Sequence, residues 1–295
     1  MKRKEGDRSK MIIQTAGYIF ITIFACCCLL PLILILSASL SEEAEVARHG
    51  FSILPQGFSI EAYKTLFSNG SALINSYLLT IILTVAGSLT GLFLISLTGY
   101  VLSRQDFRYR NIISFYIYFT TLFSGGLVPF YLLITQLLHL RNNYLAILLP
   151  SLMTPWYIIL MKNFMKGIPA SISESAQIDG ASDFVIYRKL ILPLSKPGLA
   201  TVGLFLAIGY WNEWYNSMLF LSTGQTQPLQ LFLYSAINKQ NFIRSAASNI
   251  TYTQRMPLET MKMAIAVVST VPIICLYPFV QKYFIAGITI GAVKE

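Results

Sequence analysis

FSNGSALINSYLLTIILTVAGSLTGLFLISLTGYVLS, Phe67 to Ser103, runs for 37 residues without one Asp, Glu, Lys or Arg. A helix crosses the hydrocarbon of a bilayer with roughly 18–20 apolar residues. In lipid the backbone must satisfy its own hydrogen bonds, which makes such a run helical. A β-barrel would instead show short alternating segments. The pattern repeats along the chain. Met11 to Leu40, Asn111 to Leu138, Asn142 to Met161 and Met263 to Gln281 carry no charge, and Pro197 to Asn238 carries only Glu213. The whole chain is 55% hydrophobic and 12% charged, with a mean hydropathy of +0.59. A soluble domain carries about twice that charge. The expectation is an all-α membrane protein of about six transmembrane helices, near residues 11–40, 71–103, 111 onward, 142–162, 197–222 and 258–281. It forms one membrane domain, 11–285, between an N-terminal tail, 1–10, and a C-terminal tail, 286–295.

Charge sets the expected orientation. Six spans put both termini on one side, and that side collects 15 of the 22 basic residues, from Lys2 through Arg104, Arg108, Arg110, Lys162, Lys166 and Lys196 to Lys294. The opposite loops hold seven, diluted by Glu42, Glu43, Glu45 and Glu61. The positive-inside rule places both ends in the cytoplasm. The net charge of +9 is mostly this asymmetry and not a nucleic-acid patch. The first apolar run is too long for a signal-peptide core, and no small-residue cleavage site stands out after it. Cys26, Cys27, Cys28 and Cys275 lie in apolar runs without metal-type Cys/His spacing, and read as small apolar residues.

Within the third run Gly125, Gly126 and Pro129 break the helix, and the sequence leaves open whether Phe130 to Leu140 continues the span or lies at the outer surface. The longest cytoplasmic loop follows the fourth run. It reads IPASISESAQIDGASDFVIYRKLILPLSKP, Ile168 to Pro197. Ser171 and Glu174 have capping-box spacing, which predicts a helix starting after Ser171. Gly180 stops it in a left-handed conformation. Ser182 caps a second helix to Leu192, and Pro193 interrupts it. Ala176 and Gly180 are small and permit close approach of another surface.

This loop resembles the EAA loop of binding-protein-dependent ABC importer permeases: E-A-A, three residues, G, nine residues, I, one residue, L-P. Glu174, Ser175, Ala176, Gly180, Leu190, Leu192 and Pro193 fall at that spacing, with Ser175 in place of Ala and Leu190 in place of Ile. The IDGAS core containing Asp179, the LPLSKP run, WNEW at Trp211 to Trp214 and the tail QKYFIAGITIGAVKE are similar to the carbohydrate-uptake, maltose-type branch. The resemblance implies a type I ABC importer permease fold in the bacterial cytoplasmic membrane. In that family the loop is a coupling helix seated on a cytoplasmic ATPase subunit. Glu174 would pair with a basic residue there, while Ala176 and Gly180 allow close seating. The resemblance also implies a second, homologous permease subunit, an ATPase dimer holding ATP and Mg, an extracytoplasmic solute-binding protein and a sugar or oligosaccharide substrate. It gives the tail Gly287 to Glu295 a reach toward the ATPase, against the plainer reading of a frayed terminus.

Helix five concentrates Trp211, Asn212, Glu213, Trp214, Tyr215 and Asn216. On a continuous helix Asn212 and Asn216 share one face, as do Trp211 and Tyr215. A carboxylate that deep must face a cavity or a partner. These residues read either as a sugar path, rings stacking and amides bonding hydroxyls, or as interfacial aromatics and helix glue. Asn75 and Tyr131 are weaker path candidates; His139 and the sequon Asn249 to Thr251 read as structural. No G-x-x-x-x-G-K-[ST], H-E-x-x-H, G-x-S-x-G or plausible carboxylate pair occurs. The chain therefore reads as no enzyme, without cofactor or metal of its own. A secondary transporter would need an ion site and internal duplication, and neither is visible.

Overall fold

The computed structural model describes residues 2–68, 70–222, 224–247 and 258–292. Among these residues it is built of helices, with one isolated bridge, Ser41 to Phe58. The helices are α1 (Lys2–Ser39), α2 (Glu43–His49), α3 (Glu61–Ser68), α4 (Gly70–Ser103), α5 (Arg110–Phe119), α6 (Leu127–Leu137, ending in a π turn), α7 (Leu145–Leu152), α8 (Pro155–Lys166), α9 (Ala170–Ile178), α10 (Asp183–Leu194, with a π turn at Tyr187–Ile191), α11 (Lys196–Trp211), α12 (Tyr215–Phe220), α13 (Leu229–Ala247) and α14 (Leu258–Ala292). The stretch Ile13–Ser39 of α1 and the whole of α4 are each long and apolar enough to cross a membrane unaided. The pair α7–α8 is bent by 42° and the pair α10–α11 by 82°. All four cysteines are free.

Several expected boundaries move. The basic segment expected as an N-terminal tail winds into the first turns of α1 from Lys2. The last helix continues to Ala292, because the segment after Gln281 contains no proline and no strong stop. The third run ends its first helix at Phe119, before the glycines: Thr120 and Thr121 turn their hydroxyls back onto the carbonyls of Ile117 and Tyr118, both at 2.7 Å. Such back-bonding competes with the helical ladder. The fourth run breaks at Met153–Thr154, because Pro155 lacks the N–H that would continue the ladder and instead opens α8.

The chain divides into two compact units. One comprises residues 1–70 and 237–271. In it the Glu43 carboxylate accepts the N–H groups of Glu259 (3.0 Å) and Thr260 (2.9 Å) and the Thr260 hydroxyl (2.8 Å), satisfying orphan donors at the start of α14. The Ser39 and Tyr63 hydroxyls meet at 2.8 Å.

The other unit, 71–236 and 272–295, holds the main core. Ile95 and Tyr100 of α4, Ile158 and Met161 of α8, Ile186 and Tyr187 of α10, and Val202, Leu206 and Tyr210 of α11 form one buried cluster. Small residues on α4 let the helices close up, as membrane helices require. A Cβ at Gly87 would stand 2.5 Å from the Tyr210 ring, and one at Gly99 would stand 2.8 Å from Met161. Tyr210 is fixed there by its hydroxyl, which donates to the Leu148 carbonyl at 2.9 Å. At the far end of the same unit Tyr131 stacks on Phe220 at 5.8 Å, over Ile134 and Ala146.

Candidate functional site

The loop after α8 folds as two helices with opposite environments. α9 is exposed along most of its length, including Glu174, Ser175, Asp179 and Gly180, while Ala176 is half-buried. Ile178, at its last turn, is 87% exposed. The helix end is closed as a Schellman motif: Gly180 donates to Gln177 and Ala181 donates to Ala176, both at 3.0 Å. Gly180 takes φ +77°, the left-handed conformation expected of it. The expected capping box is not formed. Pro169, at φ −57°, stands at the N-cap, so the helix begins at Ala170 and Ser171 falls inside its first turn. Ser182 has the extended backbone of a cap, but its side chain makes no capping bond.

α10 is the anchored half. Ile186, Tyr187 and Ile191 are buried, and the Tyr187 hydroxyl meets Ser96 of α4 at 2.7 Å. Arg104, at the end of α4, bridges two carboxylates. Its Nε donates to Asp106 at 2.8 Å, and it forms an ion pair with Asp183, the first residue of α10. The two carboxylates raise the Arg104 pKa against the opposing effect of burial, and Arg104 in turn holds the Asp106 carboxyl below its ordinary range. Pro193 does not end this helix, contrary to expectation. The chain widens into the π turn Tyr187–Ile191 just before it, and winding continues through Leu192 to Leu194. The sharp change of direction comes after that, at Ser195, before α11.

Helix five is not continuous. α11 stops at Trp211 and α12 starts at Tyr215. Asn212 and Asn216 therefore do not share a helical face, nor do Trp211 and Tyr215, and the expectation of one amphipathic stripe is corrected. The physical cause is local capping combined with distant contacts. Glu213 turns back as an N-terminal cap: its carboxylate accepts the Asn216 N–H at 2.7 Å and the Asn216 amide at 3.0 Å. Asn212 donates to the Ile208 carbonyl at 3.1 Å and accepts from Gln230 of α13 at 3.2 Å. Trp214 packs on Tyr234 of α13, ring centres 4.6 Å apart. Trp211 is buried and lies 6.2 Å from the Tyr77 ring, whereas Asn212 and Tyr215 are exposed. Sequence reading missed Gln230 and Tyr234, which reach the break from 18 and 20 residues downstream. It also missed Arg104, Ser96 and Tyr187, which hold α10. Asn75 is exposed, His139 takes φ 52°, and the sequon Asn249 to Thr251 lies outside the described residues.

A bundle of apolar helices, an exposed short helix braced on it by a buried one, and a polar break in an apolar helix define a membrane transport component. The profile of the family described as "Binding-protein-dependent transport system inner membrane component" matches residues 91–290, which include both the loop and the break. The chain belongs to that family. It is 38% identical over 277 residues to the polygalacturonan/rhamnogalacturonan transport system permease protein YtcP of Bacillus subtilis (strain 168), covering 94% of this chain and 96% of that protein. It is 26% identical over 291 residues to the arabinooligosaccharides transport system permease protein AraQ of the same organism, covering 96% of each. Among solved structures, it matches a chain of a bacterial ABC transporter involved in the import of the acidic polysaccharide alginate, with a TM-score of 0.80 and 37% identity over 94% of this chain and 98% of that one.

Proposed function

We propose that this chain is one transmembrane half of an ATP-driven importer for an acidic oligosaccharide delivered by an extracytoplasmic solute-binding protein. The observation that carries the reading is the divided loop: α9 stands free, closed by Gly180, while α10 is locked to the bundle by Tyr187 and Arg104. A rigid, exposed helix on a buried brace is what a membrane subunit needs to receive force from a soluble ATPase. Glu174, Ser175, Ala176, Asp179 and Gly180 form the docking helix, and Leu192 and Pro193 belong to the brace. ATP and Mg belong to the partner ATPase dimer. A second, homologous permease completes the pathway.

Six crossings follow the path α1, α4, α5 with α6, α7 with α8, α11 with α12, and α14, with both termini cytoplasmic. On this reading α6 is the outer half of a broken third crossing, in line with the packing of Tyr131 and Ile134 against Ala146 and Phe220. The acidic substrate is supported by the relative named for polygalacturonan/rhamnogalacturonan transport and by the matched structure of a transporter that imports the acidic polysaccharide alginate. Asn212, Trp214 and Tyr215 at the helix break, with Gln230 beside them, offer amides and rings to a sugar, while Trp211, Glu213 and Asn216 hold the break open. The end of the chain, Gly287 to Glu295, reaches toward the ATPase; its last residues, 293–295, lie outside the described residues. Deleting 288–295 lowers coupled transport without loss of insertion.

The test is ATP hydrolysis by the reconstituted complex with its binding protein. Stimulation by oligogalacturonate or oligoalginate, and none by neutral maltooligosaccharide, is the expected result. Stimulation by the neutral sugar alone would overturn the acidic assignment, and no stimulation by any oligosaccharide would overturn the sugar reading.

A further inference from the structure

Beside α9 lies a second feature, which shares only Glu174 with the docking residues proposed above. A cleft of about 720 Å³ opens between the turn after α4, the start of α5, the end of α8 and the start of α9. Four cations line it, Arg104, Arg110, Lys162 and Lys166, against two carboxylates, Asp106 and Glu174. Arg104 and Asp106 neutralise each other, and Arg104 is further engaged by Asp183. That leaves three cations facing Glu174, which makes no ion pair among the described residues; nor do Arg110, Lys162 or Lys166.

The three are held together in spite of their repulsion. Arg110 donates to the Arg104 carbonyl at 3.3 Å, and Lys162 donates to Ser114 of α5 at 2.7 Å. Lys162 is half-buried, and among the described residues its hydrogen-bond partner is one neutral hydroxyl. Two helices, α5 and α9, also begin in the cleft, at Arg110–Asn111 and at Pro169–Ala170. Helix starts carry partial positive charge and free N–H groups. Three converging like charges opposed by one carboxylate are costly, and an anion of high charge density removes that cost.

We infer that this cleft binds a phosphate group, held by Arg110, Lys162 and Lys166, and that the occupant is the headgroup of an anionic phospholipid. The three cations stand at the ends of apolar helices, Arg110 at the start of α5 and Lys162 and Lys166 at the end of α8, and basic pockets between transmembrane helices suit such headgroups. Because the cleft is walled by the first turn of α9, its occupancy sets how firmly the docking helix is seated. The placement at the cytoplasmic surface rests on the orientation proposed above.

The test uses the assembled transporter in nanodiscs of phosphatidylcholine containing phosphatidylglycerol, with retained lipid counted by native mass spectrometry after detergent exchange. Wild type is expected to retain phosphatidylglycerol. Lys166→Gln, at an exposed position that does not threaten folding, is expected to weaken retention about fivefold, and Arg110→Gln with Lys166→Gln by more than that, at the usual contribution of one basic side chain near anionic lipid. Retention that survives millimolar inorganic phosphate assigns the site to lipid, and retention abolished by it assigns the same site to free phosphate. Equal retention by wild type and both variants overturns the proposal. The readout needs neither sugar nor ATP, so failure of the import reading leaves this result intact.

Discussion

The two helices of the loop after α8 have opposite environments. α9 buries no residue fully, ends on a left-handed glycine and leaves Ile178 exposed. α10 buries Ile186, Tyr187 and Ile191 and is tied to the end of α4 through its first half, by Tyr187–Ser96 and Arg104–Asp183. The difference separates presentation from transmission. On the proposed reading the first helix offers a surface, and the second makes any displacement of that surface a displacement of the bundle. Interiors packed at crystal density transmit strain instead of absorbing it.

Breaking the first helix should have the largest effect. Gly180→Trp forces a bulky side chain into φ +77°, where L-residues are strained by about 1–2 kcal/mol. No atom lies within 4 Å of the position of an added Cβ, so the protein inserts normally while the docking face is altered. The expected result is loss of sugar-stimulated ATP hydrolysis by more than about tenfold, the equivalent of about 1.4 kcal/mol. Normal stimulation would detach α9 from coupling.

Weakening the brace should do less to binding and more to transmission. Arg104→Ala breaks two ion pairs at once, with Asp106 and with Asp183. A destabilisation of about 1–2 kcal/mol is expected, at the upper range for partly exposed pairs. Thermal unfolding of the purified complex measures it. ATPase subunits should still co-purify, but ATP hydrolysis should continue without transport. Tight coupling in that variant would show that the brace is dispensable.

The break between α11 and α12 is the smallest perturbation and sharpens the contrast. Glu213→Gln keeps an acceptor for the Asn216 N–H but removes its charge, costing about 1 kcal/mol of stability. Asn212→Ala leaves the exposed side of the break without its amide and should lower transport with little change in stability. If both variants lose stability and neither loses transport, the break is structural alone.

How much of this was legible in the sequence varied with how local the cause was. α4 was read directly, since 34 residues of uncharged chain admit no other fold in lipid. Gly180 was read correctly because a Schellman end is decided by residues within one turn. The kink before Pro155 carried its signal openly in the proline. The missing capping box did so as well, since Pro169 two residues earlier sets the helix start. The gap at Asn212 to Trp214 had no such sign: WNEWYN contains neither glycine nor proline. It is held by Gln230 and Tyr234 from α13, and long-range contacts of that kind leave no periodic trace. The π turn ahead of Pro193 was likewise invisible, because burial of Tyr187 and Ile191 against α4 and α11 decides it.

A docking helix and a merely exposed turn differ in whether the ATPase depends on the exposed face of α9. The direct measurement is co-purification of the ATPase with permease carrying Ile178→Asp, a change at a side chain that is 87% exposed. If α9 docks the ATPase, the ATPase is lost while the yield and melting temperature of the membrane subunits stay unchanged. Full recovery of the ATPase with the Ile178→Asp permease would contradict it.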